Sequence, residues 1–186
     1  MLKLYGAAFS RASIVKWYLE ELNVPYEFVM LDMKAGEHKQ PDYLQINPMG
    51  KVPAIVDGDF KLWESGAILI YLAEKYGKMP DSLEYRSIIN QWVYFGSSTL
   101  GNGLFIEANR EKEMPRLLTS LNEILSGKPF LLGEEFTVAD VAVGSILAFG
   151  IQMLKLDYSD YPAVSDYVKR LTERSVYKNT IAQPTV

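Results

Sequence analysis

An apolar run that opens on proline, an Asp-Gly pair and a second apolar run constrain this chain more than any other stretch. Residues 47–69 read NPMGKVPAIVDGDFKLWESGAIL. Asp-Gly between two apolar runs is a strong short-range hairpin signal, which makes VPAIV and FKLW a pair of antiparallel strands. Proline cannot donate to a ladder, so Val52-Pro53 belongs at a strand start or on an edge. Glu64-Ser65-Gly66 follows the second strand, and the apolar stretch from Ala67 to Ala73 follows that. Ser65 suits a helix N-cap, with free backbone N–H groups behind it. A helix start is a ready anion site. The segment therefore predicts a strand edge beside a carboxylate-binding helix end.

The flanking sequence sets this hairpin in a larger unit. Leu2-Lys3-Leu4-Tyr5 alternates as a short strand. Helical periodicity runs from about Ala12 to Leu22, with Ile14, Tyr18 and Leu22 on one face, until Asn23-Val24-Pro25 stops it. Tyr26–Met30 is a second strand, and a short helix is expected near Pro41 to Ile46. The order is β-α-β-α-β-β-α, that of the thioredoxin-like fold. Tyr76-Gly77-Lys78-Met79-Pro80 marks a boundary, because glycine and then proline close a helix. Beyond Asp81 every segment has helical spacing, including Met114, Leu117, Leu118, Leu121, Ile124 and Leu125. The expectation is an α+β thioredoxin-like domain over residues 1–77, followed by an all-α domain over residues 82–186. In the helical half, Phe136-Thr137-Val138-Ala139-Asp140 is close to a capping box, with Asp at the third helical position and Phe136 free to staple onto Val141. It reads as a folding device rather than a site.

Bulk properties narrow the function. Among 186 residues, 48% are apolar, which favours a packed core over disorder. The net charge is −4 with no Lys/Arg block, which argues against nucleic acid as the main partner. No run of 18 apolar residues and no signal-peptide pattern is present, so no membrane association and a cytoplasmic location are the default. There is no cysteine. Disulfides, thiolate metal sites and a protein thiol nucleophile are thereby excluded, and any thiol chemistry must use a thiol carried by the ligand. No metal site is expected.

The string NPMGKVPAIVDGDFKLWESGAI resembles the glutathione-site pattern of the glutathione transferase family almost letter for letter. The resemblance implies a cis peptide before Pro53 and a role for Val52 in pairing its N–H and C=O with the cysteinyl backbone of glutathione, as an added strand would. It also implies that Glu64 pairs with the ligand ammonium, while Ser65 and the helix N-terminus take the γ-glutamyl carboxylate. His38 is the single histidine. The string GEHKQPDYLQINP around it is similar to the phi branch, which implies that His38 and Lys51 contact the glycine carboxylate. Both offer donors to an anion. The T-x-A-D element at Thr137 also resembles one found in this family.

The sulfur position is less sharply written. In the resemblance, a hydroxyl or thiol near the first helix stabilises the thiolate. Counting forward from the first strand places Ser10 there; counting back from Leu19-Glu20-Glu21 places Phe9 there. Ser10 is also a natural N-cap. Arg11 offers a guanidinium that would favour a thiolate, or a plain surface charge. Ser13 is a further hydroxyl, and Tyr5 reads as a core residue of its strand. Candidates for an electrophile pocket in the helical half are Trp92, Tyr94, Phe95, Phe105 and Met114. The stretch Gly96–Gly103 (GSSTLGNG) is expected to interrupt a helix that is normally long in this family, giving a shallow, open pocket. The expected activity is conjugation of glutathione, as co-substrate without another cofactor, to small electrophiles in detoxification or stress metabolism by a homodimer. A bacterial or cyanobacterial chi-like branch fits the blurred sulfur motif. The alternative is a non-catalytic glutathione-fold module that binds a partner protein or an apolar ligand.

Overall fold

The computed structural model describes residues 1–77 and 79–181. The chain forms two compact units. The first comprises Met1–Met79 and the segment from Ser175 onward, and the second comprises Pro80–Arg174.

The first unit is built on a four-stranded sheet in the order β2-β1-β3-β4, from β1 (Leu2–Gly6), β2 (Tyr26–Met30), β3 (Ala54–Asp57) and β4 (Phe60–Trp63). β1 and β2 are parallel; β1–β3 and β3–β4 are antiparallel. Helix α1 (Ala12–Glu21) buries Ala12, Ile14, Val15, Trp17, Tyr18 and Leu19. It ends where Asn23 takes φ +53, a left-handed conformation that Asn tolerates at a helix end. The short α2 (Pro41–Leu44) and the 3₁₀ turn Glu37–Lys39 follow β2. Tyr43 of α2 lies against Tyr5, with ring centroids 5.8 Å apart. The hairpin turns at Gly58-Asp59, between the paired Asp57 and Phe60. Gly58 has φ +63 at the first central position, where a two-residue turn favours glycine.

Helix α3 (Ser65–Tyr76) buries Ile68, Leu69, Leu72 and Ala73. Asp57 fastens the hairpin to it, accepting hydrogen bonds from Tyr71 Oη (2.9 Å), Tyr76 Oη (3.0 Å) and Lys75 Nζ. These donors, Lys75 foremost, hold the Asp57 carboxyl below its ordinary range. The element order and the sheet are those expected for a thioredoxin-like unit. One feature departs from that expectation: α9 (Ser175–Thr180) belongs to the first unit and packs on α1. Tyr177 meets the fully buried Trp17 edge-on at 5.1 Å.

The second unit is built on helices among its described residues, apart from an isolated bridge between Phe130 and Gly133: α4 (Leu83–Tyr94), a π-helical segment Phe95–Leu100, α5 (Gly101–Phe105), α6 (Glu107–Leu125), α7 (Val138–Leu154) and α8 (Pro162–Thr172). The stretch Gly96–Gly103 does not interrupt the helix, contrary to expectation. The chain stays helical from Leu83 to Phe105 and absorbs the disturbance as a π segment. Its glycines serve close packing. A Cβ on Gly96 would lie 2.9 Å from the Ala142 carbonyl oxygen, and one on Gly103 would lie 2.5 Å from Leu117 Cδ1. Helix α7 is buried on nearly every side, as its all-round apolar sequence requires.

The capping box of α7 is present. Thr137 Oγ1 accepts from Ala139 N–H at 3.3 Å, and Asp140 Oδ2 accepts from Thr137 N–H at 2.8 Å and from Thr137 Oγ1 at 3.1 Å. Asp140 Oδ1 also accepts from Leu131 N–H at 2.9 Å and from Tyr167 Oη at 3.0 Å. Burial pushes this carboxyl upward, and the donors, Leu131 N–H first among them, pull against it. Phe136 lies edge-on to Phe130 and beneath the Arg174 guanidinium, 4.1 Å from its ring centroid.

Candidate active site at one end of the sheet

Strand register brings three separate segments to one end of the sheet. Tyr5, next to last in β1, pairs with Ala54 at the start of β3. Ala54 pairs in turn with Trp63 at the end of β4. The β1–α1 loop with Ser10 and Arg11, the Val52-Pro53 step and the Glu64-Ser65 step therefore meet the sheet at the same end. A fourth segment joins them: a Cβ on Gly50 would lie 3.0 Å from the His38 carbonyl oxygen, which sets the 3₁₀ turn against the Gly50-Lys51 backbone.

The Val52–Pro53 peptide is cis. Val52 lies just outside the β1–β3 ladder, and its N–H and C=O have no hydrogen-bond partner among the described residues. The preceding peptide is held firmly. The Lys51 carbonyl accepts from Tyr43 Oη at 2.6 Å and from Asn47 Nδ2 at 2.7 Å, while Asn47 Oδ1 accepts from Met49 N–H at 3.0 Å. Tyr43 and Asn47 were not apparent from the sequence. Asn-Pro signals a turn, but not that two side chains, eight and four residues upstream, converge on one carbonyl.

Glu64, rather than Ser65, occupies the N-cap position of α3, with φ +73 and ψ 118 and no side-chain cap. The expectation that Ser65 caps the helix gives way because the sharp turn falls one residue earlier, leaving Ser65 as the first helical residue. The Ser65, Gly66 and Ala67 N–H groups have no acceptor among the described residues, while Ile68 N–H reaches the Glu64 carbonyl at 2.9 Å. Ser65 is buried and its hydroxyl is unpartnered among the described residues; the Glu64 side chain is exposed. Three open donors and the positive end of the α3 dipole make an anion seat. The strained φ of Glu64 falls at that seat, where such outliers concentrate.

His38 is half-buried, and its Nδ1 is buried without a hydrogen-bond partner. An orphaned buried polar atom of this kind calls for a partner. The Lys51 and Arg11 side chains are exposed, and neither has a hydrogen bond or ion pair among the described residues. Ser10 is fully engaged. Its Oγ accepts from Ala7 N–H (3.2 Å) and Ala12 N–H (3.3 Å) and donates to the Ala7 carbonyl (2.8 Å). The Ser13 hydroxyl donates to the Ser10 carbonyl at 3.0 Å. Phe9 stands beside Ser10 at φ +55 and is 87% exposed. The hydroxyl, rather than the ring, is thus folded into the loop. In the helical unit, Trp92 and Phe95 meet edge-on at 5.4 Å and line a cleft of about 310 Å³ with Arg116, Leu117, Leu121 and Ile124. Tyr94, Phe105 and Met114 do not line it.

Residues 1–74 match the family model of the glutathione S-transferase N-terminal domain, and residues 106–175 match that of the C-terminal domain. The chain is similar to the glutathione transferase URE2P6 of Phanerochaete chrysosporium, crystallised with oxidised glutathione. The two are 30% identical over 97% of this chain and 94% of that one, with a TM-score of 0.82. A glutathione transferase of Burkholderia graminis, with two glutathione molecules bound per subunit, is 28% identical over 99% of this chain and 88% of its own, with a TM-score of 0.83. An epsilon-class glutathione S-transferase of the housefly, Musca domestica, is 26% identical over 97% and 91%, also with a TM-score of 0.83. Together with the strand register and the open helix end, these likenesses establish that the chain belongs to the glutathione transferase family.

Proposed function

We propose that this chain binds reduced glutathione at the sheet end described above and transfers its thiolate to small electrophiles. The observation that carries the reading is the shared end of the sheet reached by the β1–α1 loop, Val52-Pro53 and Glu64-Ser65. The γ-glutamyl carboxylate sits on the Ser65 hydroxyl and the open N–H groups of α3, with its ammonium on Glu64. Val52, held by the step to Pro53, pairs with the cysteinyl backbone as a sheet edge would. His38 and Lys51 take the glycine carboxylate. The tripeptide then runs from α3 to the 3₁₀ turn and presents its sulfur toward Ser10 and Arg11.

Ser10 donates to the thiolate by moving its proton off the Ala7 carbonyl. This exchanges a neutral hydrogen bond for a charge-assisted one, a gain of roughly 1 kcal/mol. Arg11 adds a positive potential. Both favour the thiolate over the thiol and lower its pKa. The thiolate attacks an electrophilic carbon, an S–C bond forms and the leaving group departs with its electron pair; with an isothiocyanate the pair moves to nitrogen, which is then protonated. Glutathione is consumed as co-substrate. Residues 1–77 hold glutathione and the helical unit, Pro80–Arg174, supplies the electrophile site. The working form is a cytoplasmic homodimer engaged in detoxification or stress metabolism; the apolar run Ala67–Ala73 supports association through α3.

Calorimetry with reduced glutathione, followed by turnover of an aryl halide and an isothiocyanate, tests the reading. Saturable binding with turnover is expected. Absence of binding at millimolar glutathione overturns the site, and binding without turnover of any electrophile overturns the enzymatic assignment. Ser65→Ala should weaken binding by about 1.5–3 kcal/mol if a charge-assisted hydrogen bond is lost.

A further inference from the structure

Tyr43 and Asn47 converge on one carbonyl, and the backbone of the helix that carries Tyr43 does not call for it. Helix α2 is a single turn, and the Tyr43 carbonyl accepts from both Ile46 N–H and Asn47 N–H without help from either side chain. Yet Tyr43 is only 4% exposed and Asn47 only 2%. Burying a phenol and a carboxamide costs free energy unless each is hydrogen-bonded. Both are bonded, and to the same acceptor, Lys51 O, at 2.6 and 2.7 Å. Asn47 is fixed in turn, because its Oδ1 accepts from Met49 N–H at 3.0 Å. That bond also assigns the amide orientation: Oδ1 faces a donor and Nδ2 faces an acceptor.

A peptide unit is planar, and in the trans form its C=O and N–H point in opposite directions. The Lys51–Val52 peptide is not among the cis bonds of the chain. Two donors occupying the Lys51 oxygen therefore fix the direction of the Val52 N–H, which points away from α2. That N–H has no partner among the described residues. Withdrawal of electron density by two donors at the oxygen also makes the N–H at the other end of the same peptide a better donor.

We infer that Tyr43 and Asn47 are positioning residues that clamp the Lys51–Val52 peptide and aim the Val52 N–H at the backbone carbonyl of an extended peptide ligand. This rests on the glutathione reading above, in which the cysteinyl carbonyl is the acceptor. Neither side chain touches the ligand; each acts through the Lys51 carbonyl. Burial holds the Tyr43 phenol up at about 12, so it remains a donor across the working pH range.

Two variants separate this role from a folding role. Tyr43→Phe removes one donor and keeps the ring against Tyr5. Asn47→Asp keeps the acceptor for Met49 N–H and turns the group facing Lys51 O from donor to acceptor. The expected result is glutathione affinity weakened about fivefold by Tyr43→Phe and tenfold or more by Asn47→Asp. With saturating glutathione, kcat should hold while KM rises. Amide NMR supplies a readout that stability alone does not move. The Val52 amide proton should shift downfield on glutathione binding in the wild type and by a smaller amount in Tyr43→Phe. The Val52 N–H residual dipolar coupling in the free protein should change in the variant, reporting the released peptide plane. If Asn47→Asp fails to fold, Tyr43→Phe carries the test. An unchanged dipolar coupling with affinity within twofold of wild type overturns the clamp even though glutathione binds. A changed coupling in a protein that takes up no glutathione upholds the clamp and overturns the ligand assignment.

Discussion

Replacing Glu64 by glycine should make the ligand-free protein more stable and a poorer binder of glutathione. Glu64 has φ +73 and ψ 118, outside the small left-handed well that ordinary residues visit. A non-glycine residue held in such a region costs about 1–3 kcal/mol. Glycine adopts it freely but gains conformational freedom in the unfolded chain, which costs roughly 0.5–1 kcal/mol. No hydrogen bond of the folded protein is lost, because the Glu64 side chain is exposed without a partner among the described residues, and the Ile68 N–H bond to its carbonyl survives. The difference is a net stabilisation of about 0.5–2 kcal/mol, a rise in Tm of roughly 1–8 °C for a chain of this length. Glutathione affinity should fall about tenfold or more, as the ammonium loses its carboxylate partner. Glu64→Gln separates the two effects: it keeps the strained backbone, so stability should stay near wild type while affinity still drops. Calorimetric unfolding without ligand and titration with glutathione measure both arms. A glycine variant that melts below the wild type would falsify the strain reasoning, and one that binds glutathione with full affinity would remove Glu64 from the site.

Titrating bound glutathione by thiolate absorbance should show the thiol pKa rising by about one unit in Ser10→Ala, the equivalent of one charge-assisted hydrogen bond. Arg11→Ala should raise it by less, with the effect fading at high salt because the guanidinium is exposed; if neither variant moves the pKa, the sulfur contacts are misassigned. Asp140→Asn turns one carboxylate oxygen into a donor that faces other donors in a fully buried place, and denaturant unfolding should show a loss of about 2–4 kcal/mol. The Lys75 hydrogen bond holds the Asp57 carboxyl below its ordinary range in the folded state, so its contribution is present above the ordinary carboxylate range and is lost as pH falls through the lowered value. The stability gap between wild type and Asp57→Asn should accordingly be constant near neutrality and close in acid; a gap that widens in acid would refute the fastening of the hairpin.

Local chemistry wrote the parts of the fold that the sequence displays. Asp-Gly between apolar runs specified the hairpin, Thr137 and Asp140 specified the start of α7, and the periodicity from Ala12 to Leu22 specified α1, whose last helical residue is Glu21. Glu64 and Ser65 were legible as a helix end, but not the one-residue offset that puts the unusual backbone at Glu64; that turn is imposed by joining β4 to α3. Tyr43 and Asn47 were illegible as site residues because their meaning lies in an acceptor 8 and 4 residues away across a loop. The glycines of 96–103 misled for the same reason. Their partners, Ala142 and Leu117, lie on other helices, so a packing requirement reads in one dimension as a break.

The attachment of α9 to α1 has a consequence for any attempt to divide this chain. The first unit is discontinuous, since the polypeptide leaves it near Met79 and returns at Ser175. A fragment cut at residue 77 keeps every strand and every proposed glutathione contact, yet strips Tyr177 from Trp17 and leaves an indole flank bare to water. Such a fragment would need the segment from Ser175 restored, by fusion or as an added peptide, before its affinity for the tripeptide could be compared fairly with that of the whole chain.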